Sequence, residues 1–194
     1  MELEPLRKSM KKVLSESRYR HSLGVEEVCY DLALIHGEDT LKAAIAGILH
    51  DCAKCMTDME LLQECEKYNL PITQVQRKQP YLLHASLGAV YAREKYGIRD
   101  EDILNAITYH TTGRPAMTKL EKIVYIADFI EPGRKPIPVL DEAREMAYRN
   151  LDEAVICIAD NSLNYLKEKG VIIEPLTKET YDYYLTNMIN GETI

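Results

Sequence analysis

The sequence predicts an all-α helical bundle, on three observations. Apolar residues recur at three- and four-residue intervals along most of the chain, Gly and Pro fall singly between those segments, and no pair of alternating strands occurs. A short first helix is expected around residues 4 to 15. The stretch 18 to 35 carries Val25, Val28, Leu32 and Ile35 at helical spacing and stops at Gly37, a natural C-terminal cap. Asp39 or Thr40 caps the next helix, LKAAIAGILHD, which has no charged side chain from Ala43 to Leu49 and so should be the buried centre. Helices near 58 to 68, 82 to 96, 101 to 110 and 119 to 130 follow, the last two opened by Asp100 and Thr118, with Pro132 and Gly133 as a stop. Two more fill roughly 139 to 169 and end at Gly170. The segment VIIEPL, residues 171 to 176, is too short to define a sheet and reads as an extended strap. A tyrosine-rich helix from about 178 to 189 closes the chain.

A length of 194 residues with 46% hydrophobic side chains suits a single domain over 1 to 194 with a real core. The formal charge of -7 argues against nucleic acid as a partner, because broad contact with its backbone needs a strongly basic surface. A small anionic ligand needs only a local knot of Lys and Arg. MELEPLRKSMKKVLSESRYRH lacks the apolar region of a secretory signal, and no apolar run is long enough to span a bilayer, so no membrane association and a cytoplasmic location are expected. The cysteines number five, an odd count that speaks against a disulfide framework. Cys52 and Cys55 form one C-x-x-C, but neither a strand-to-helix context nor a second cysteine pair supports a redox or zinc role.

Four of the five histidines fall on apolar helix faces. His21 lies one turn before Val25, His50 follows the uncharged run and is joined to Asp51, His84 shares a face with Leu87 and Tyr91, and His110 continues the stripe of Ile103, Ala106 and Ile107. Asp128 lies one turn after Val124 in KIVYIADFI. A single inward histidine is more often a hydrogen-bonded core residue, and a lone inward aspartate often caps a helix. Here several converge from separate helices with no buried Lys or Arg expected close by in sequence to neutralise the acids, and a divalent cation would satisfy them together. Imidazole nitrogen with carboxylate oxygen suits iron, manganese, cobalt, nickel or zinc. Asp51 could bridge to a second ion completed by His84 and His110. His36, beside the Gly37 cap, is expected to be a solvent-exposed helix-end residue without a site role.

The order His21, His50-Asp51, Asp128 resembles the signature of the HD superfamily of phosphohydrolases. The surrounding words RYRHSLGV, ILHDCAK, LLHASLGA and ITYHTTGRPAMTKLEKIVYIADFIEPGR sharpen the likeness to the bacterial HD-domain symmetrical diadenosine tetraphosphatases, the YqeK type, over nearly the whole chain. The resemblance implies an HD-domain-like helical bundle, with a metal-binding core over about 18 to 134 and C-terminal helices over about 139 to 190. It implies hydrolysis of diadenosine tetraphosphate, a small dinucleotide, into two ADP at an iron-type centre held by His21, His50, Asp51 and Asp128. It also implies that His84, His110, Thr111 and Arg134 touch the nucleotide phosphates, and that Val171, Ile172, Ile173, Glu174, Pro175 and Leu176 line the base pocket.

Phosphoanhydride hydrolysis needs an activated water, neutralised phosphate oxygens and an assisted leaving group. A metal lowers the pKa of its water from 15.7 toward roughly 7, and Asp51 or Asp128 would orient it. Lys54, Arg114 and Arg134 stand within a few residues of the site motifs and would neutralise charge, unless Lys54 and Arg114 are ordinary surface cations. In HTTGRP, two threonine hydroxyls, a permissive Gly113 and the forked Arg114 suit phosphate contact. A protonated His84 or His110 would assist the departing ADP. The rivals are an HD phosphohydrolase acting on another nucleotide, a nucleotide-binding regulator with a slow centre, and an adaptor whose histidines are structural. The terminal helix, with Tyr181, Tyr183 and Tyr184, offers either a homodimer face or packing on its own domain.

Overall fold

A computed structural model of the chain describes residues 2–191, and among them it contains only helices and loops. In order these are α1 (Leu3–Val13), α2 (Glu16–His36), α3 (Thr40–Leu49), α4 (Asp58–Lys67), α5 (Gln74–Lys78), a 3-10 turn over Pro80–Leu82, α6 (Leu83–Glu94), α7 (Glu101–Tyr109), α8 (Lys119–Ile130), α9 (Leu140–Ala147), α10 (Leu151–Glu168) and α11 (Pro175–Asn190). The expected bundle is therefore present, and three helices start at the residues that the sequence marks. Asp39 caps α3 by accepting from Leu41 N and Lys42 N, Asp100 caps α7, and Thr118 forms a reciprocal capping box with Glu121 at α8.

The centre of the fold is α3. Every residue from Ala43 to Leu49 is buried, and α1, α2, α7 and α8 pack against it. The small residues Ala43, Ala44, Ala46 and Gly47 let the neighbours come close. A Cβ on Gly47 would stand 2.9 Å from the Glu26 Cα, so the α2 and α3 backbones meet where only glycine fits. Substituting Gly47 with valine would force the helices apart and move the ligand-bearing end of α3. The second half, α6 to α11, closes over the other side, with α7 and α8 between the two.

Three expectations need correction. The short α5 and the 3-10 turn were not anticipated, because α5 has no buried residue to give it an apolar period; a Thr73–Gln76 capping box nucleates it instead. The last helix begins at Pro175 rather than near 178, since proline's fixed φ suits the first helical turn, and the strap shortens to 171–174. His36 is half-buried, with Nε2 at 2.7 Å from the Ala147 carbonyl, so it joins α2 to α9 rather than facing solvent. In the terminal helix Tyr184 is fully buried in its own bundle, and its hydroxyl accepts from Met117 N at 2.8 Å. Thr180 of the same helix donates to the Thr112 carbonyl at 3.0 Å, which ties α11 to the loop after α7.

Candidate metal centre

His50 and His110 are the residues at which α3 and α7 end, His84 is the second residue of α6, and His21 and Asp128 lie within α2 and α8. Helix ends expose carbonyls, and the rings use them. His50 Nδ1 donates to the Gly47 carbonyl at 2.7 Å, His110 Nδ1 donates to the Ile107 carbonyl at 2.7 Å, and His84 Nδ1 donates to the Tyr81 carbonyl. His21 Nδ1 instead meets a carboxylate, Glu131 Oε1, at 3.1 Å. Carbonyl oxygens only accept, so the Nδ1 protons point outward and the Nε2 lone pairs converge inward.

That convergence is tight. His21 Nε2 lies 3.3 Å from His50 Nε2, and His84 Nε2 lies 3.1 Å from His110 Nε2. Neutral lone pairs at that separation cannot satisfy one another, and a cation between them would. The carboxylates complete the set. Asp51 Oδ2 is 3.3 Å from His50 Nε2 and its Oδ1 is 3.3 Å from His84 Nε2, while Asp128 Oδ1 is 3.0 Å from His21 Nε2. Donor atoms lying within 4.8 Å of one another form three groups: His21, His50 and Asp51; His50, His110 and Asp128; Asp51, His84 and His110. The cluster can hold metal, since every group pairs imidazole nitrogen with carboxylate oxygen at positions shielded from water.

The electrostatics are those of acids kept ionised indoors. Burial works to raise Asp51, but the charges and hydrogen bonds of His50 and His84 together outweigh it and hold the carboxyl well below its usual range. Asp128 is likewise held low against its burial by the hydrogen bond with His21 and the charge of His50, both of which act when those rings carry a second proton in place of a cation. Burial depresses His50, yet Asp51, with Asp128 and the Gly47 carbonyl, more than restores it and the net shift is upward. His110 has burial and the charges of His50 and His84 against it, and is pushed down to about 3. Burial and those neighbouring charges thus favour its neutral ring over the protonated one.

A cavity of about 780 Å³ reaches the cluster at His21 and Thr111. Thr111 Oγ1 stands 3.1 Å from His110 Nε2, and Lys54 Nζ stands 3.2 Å from His84 Nε2. Lys54 is lowered from its ordinary value by burial, against the pull of Asp51 and Asp128. Arg134 lines the cavity, anchored by Nε to the Phe129 carbonyl at 3.1 Å and by Nη2 to Asp128. Arg114 does not line it. Its guanidinium is taken up by Glu121, with Nε to Oε2 at 3.0 Å and Nη2 to Oε1 at 2.8 Å, and it stacks over Tyr109. Within the strap, Ile172 and Glu174 face the cavity while Val171, Ile173, Pro175 and Leu176 do not. The reason is geometric: alternate residues of an extended segment share a face, and the chain turns into α11 at Pro175.

Sequence reasoning missed several residues of this region. Arg18, one turn before His21, donates to Asp51 Oδ2 at 2.8 Å and lines the cavity. Its spacing to His21 was the available signal. Lys135 adds a cation beside Arg134, and Tyr81 and Tyr165 offer aromatic faces farther out. Glu131 lies within the IADFIEPGR stretch, but no spacing ties it to His21. Cys52 and Cys55 belong to different environments, one buried with its thiol on the Gly88 carbonyl, the other exposed, and no group of possible ligands among the described residues contains a cysteine.

Four inward histidines, two aspartates and an all-helical frame define a metal-site helical domain. The chain belongs to the HD-domain family, whose model matches residues 18–133. It is 42% identical over 172 residues to the symmetrical bis(5'-nucleosyl)-tetraphosphatase of Halalkalibacterium halodurans, covering 89% of this chain and 91% of that protein. It is 40% identical over 177 residues to the protein of that name from Bacillus subtilis, covering 91% of this chain and 94% of the relative. A crystal structure from Clostridium acetobutylicum, described as a predicted HD superfamily hydrolase involved in NAD metabolism, superposes with a TM-score of 0.92 at 40% identity, covering 96% of this chain and 98% of that one.

Proposed function

We propose that the chain hydrolyses diadenosine tetraphosphate symmetrically to two molecules of ADP at a divalent metal centre. The observation that carries this is the inward convergence of the His21, His50, His84 and His110 Nε2 atoms with Asp51 and Asp128 at the end of a large cavity. Relatives named for that activity match it over most of the chain. His21, His50, Asp51 and Asp128 would hold the principal ion, with iron first among the candidates. The two oxygens of Asp51 face different histidine pairs, which supports a second ion completed by His84 and His110. A cation held there would acidify water and neutralise phosphate oxygens.

The protein's own groups supply the rest. The tetraphosphate is strongly anionic, and Arg18, Arg134 and Lys135 gather along the cavity that would admit it. Arg134 cannot swing freely, because the Phe129 and Asp128 carbonyls hold it, so it positions as well as attracts. Thr111 can donate to a phosphate oxygen. Lys54, made more acidic by burial, stands 3.2 Å from His84 Nε2 and is placed to give a proton to the departing ADP phosphate. The nucleoside would lie outward, where Tyr81, Tyr165 and Ile172 provide apolar surface.

Ion-exchange analysis of products from metal-replete protein and diadenosine tetraphosphate tests this, beside Asp51→Ala. ADP as sole product, absent with the variant, is expected. ATP with AMP, or intact substrate under each of several metals, would refute the assignment.

A further inference from the structure

We infer that Glu131 is a positioning residue for the metal centre: it fixes the tautomer and tilt of His21 so that Nε2 faces the ion. The inference rests on the metal reading above. His50, His84 and His110 each place Nδ1 on a carbonyl of their own preceding turn, so their orientation is local. His21 lies in the body of α2, where backbone carbonyls are already occupied, and takes its partner from the far end of α8. Glu131 is 4% exposed, and its two oxygens receive two donors, His21 Nδ1 on Oε1 at 3.1 Å and Gly133 N on Oε2. Arg144 donates to the Ile130 carbonyl at 3.1 Å and to the Glu131 carbonyl at 3.2 Å, which holds the backbone that carries it.

Two glycines show how closely this carboxylate is seated. A Cβ on Gly24 would stand 3.0 Å from Glu131 Oε2, and one on Gly133 would stand 2.9 Å from the same oxygen. Gly24 lies within α2, on the turn after His21, where alanine would favour the helix, so glycine there is costly unless something needs the space. The carboxylate needs it. A carboxylate behind an imidazole also makes the ring a stronger donor than a carbonyl does, which distinguishes His21 from the other three.

The test is Co²⁺ titration of the chelator-stripped, full-length protein, with affinity read by competition against a chromophoric chelator and geometry by the visible absorption bands. His21→Ala sets the scale by removing the ligand itself. Glu131→Ala should weaken Co²⁺ binding by about 10–100-fold and change the bands. Glu131→Gln, with one acceptor oxygen for two donors, should fall between it and the unaltered protein. Gly24→Ala should weaken binding while leaving metal-free thermal stability equal or higher, an outcome that a merely structural role of Glu131 would not give and that remains readable if Glu131→Ala misfolds. If the unaltered protein fails to bind Co²⁺, or His21→Ala binds as tightly, the metal reading falls and the inference with it. If both behave as expected but Glu131→Ala and Gly24→Ala stay within about twofold of the unaltered protein, well under the usual loss for such partners, the inference alone is overturned.

Discussion

Replacing Gly113 with alanine would strike the point where the terminal helix holds the loop behind His110. Gly113 has φ +63°, and a Cβ there would stand 2.6 Å from Thr180 Cγ2 and 3.3 Å from Met117 Cε. Thr180 is fully buried, with its hydroxyl within 2.8 Å of the Leu176 carbonyl and 3.0 Å of the Thr112 carbonyl, so it has nowhere to go. Left-handed backbone costs alanine about 1–2 kcal/mol, and overpacking a filled site about 1–3 kcal/mol more. A less flexible unfolded chain returns about 0.4–1 kcal/mol. The net is about 1–4.6 kcal/mol, centred on about 3, and at about 2–4 °C per kcal/mol for a chain of this size Tm should fall by about 6–12 °C. Gly37→Ala is the control: its φ is +66° but nothing lies within 4 Å of the new Cβ. It should lose only the backbone part less the same unfolded-chain return, about 0–1.6 kcal/mol. Thr180→Ser removes the obstructing methyl and keeps the hydroxyl, so adding it to Gly113→Ala should recover part of the loss, a non-additive gain. Thermal unfolding followed by circular dichroism measures all of these. Equal Tm for the Gly113 and Gly37 variants would refute the claim that α11 is packed hard against this loop.

Arg114→Ala should lower Tm, because it leaves buried Glu121 without its partner, yet change kcat/KM by less than about threefold, under 1 kcal/mol of transition-state free energy; Arg134→Ala should do the reverse, and steady-state kinetics beside unfolding curves separate them. Iodoacetamide at pH 8 should label Cys55 in the native protein and spare Cys52, whose thiol burial pushes up to about 12, and Cys65, which burial raises to about 11; peptide mass mapping would show it, and fast labelling of Cys52 would contradict the buried turn after Asp51. Metal at about 100 times its Kd should stabilise the native state by about 2.7 kcal/mol, so chelation should lower Tm by roughly 5–11 °C in the unaltered protein and leave Asp51→Ala unmoved.

Most of the frame could be read from the chain because its signals are local. Asp100 and Thr118 open their helices through side chains that reach only two or three residues, and the uncharged run of α3 has no stable place but the centre. The inward histidines were legible for the same reason, each on a face marked by its helical neighbours. Arg114 misled because its commitment to Glu121 depends on how the loop folds back on α8, which spacing does not encode. Glu131 was invisible for a related cause: its partner His21 lies 110 residues away, and an acidic residue beside a proline looks like any helix end. The strap was half legible, because alternation could be foreseen but not which of its faces met the cavity.

Where each histidine finds its second hydrogen bond also bears on how such a site can change over time. Three of the rings are braced by the turn that carries them, so a lengthened or rebuilt loop elsewhere leaves their aim untouched. Other parts of the cavity wall, drawn from Lys135 and Ile137 after α8, from Asn161, Tyr165 and Leu166 of α10 and from Ile172 and Glu174 at the entry to α11, are free of that duty. Lineages can therefore exchange those walls, and with them the molecule admitted, without re-tuning the chemistry beneath. The exception is α2, whose ligand is aimed from the far end of α8, and insertions between Asp128 and Gly133 should be the ones such lineages do not survive.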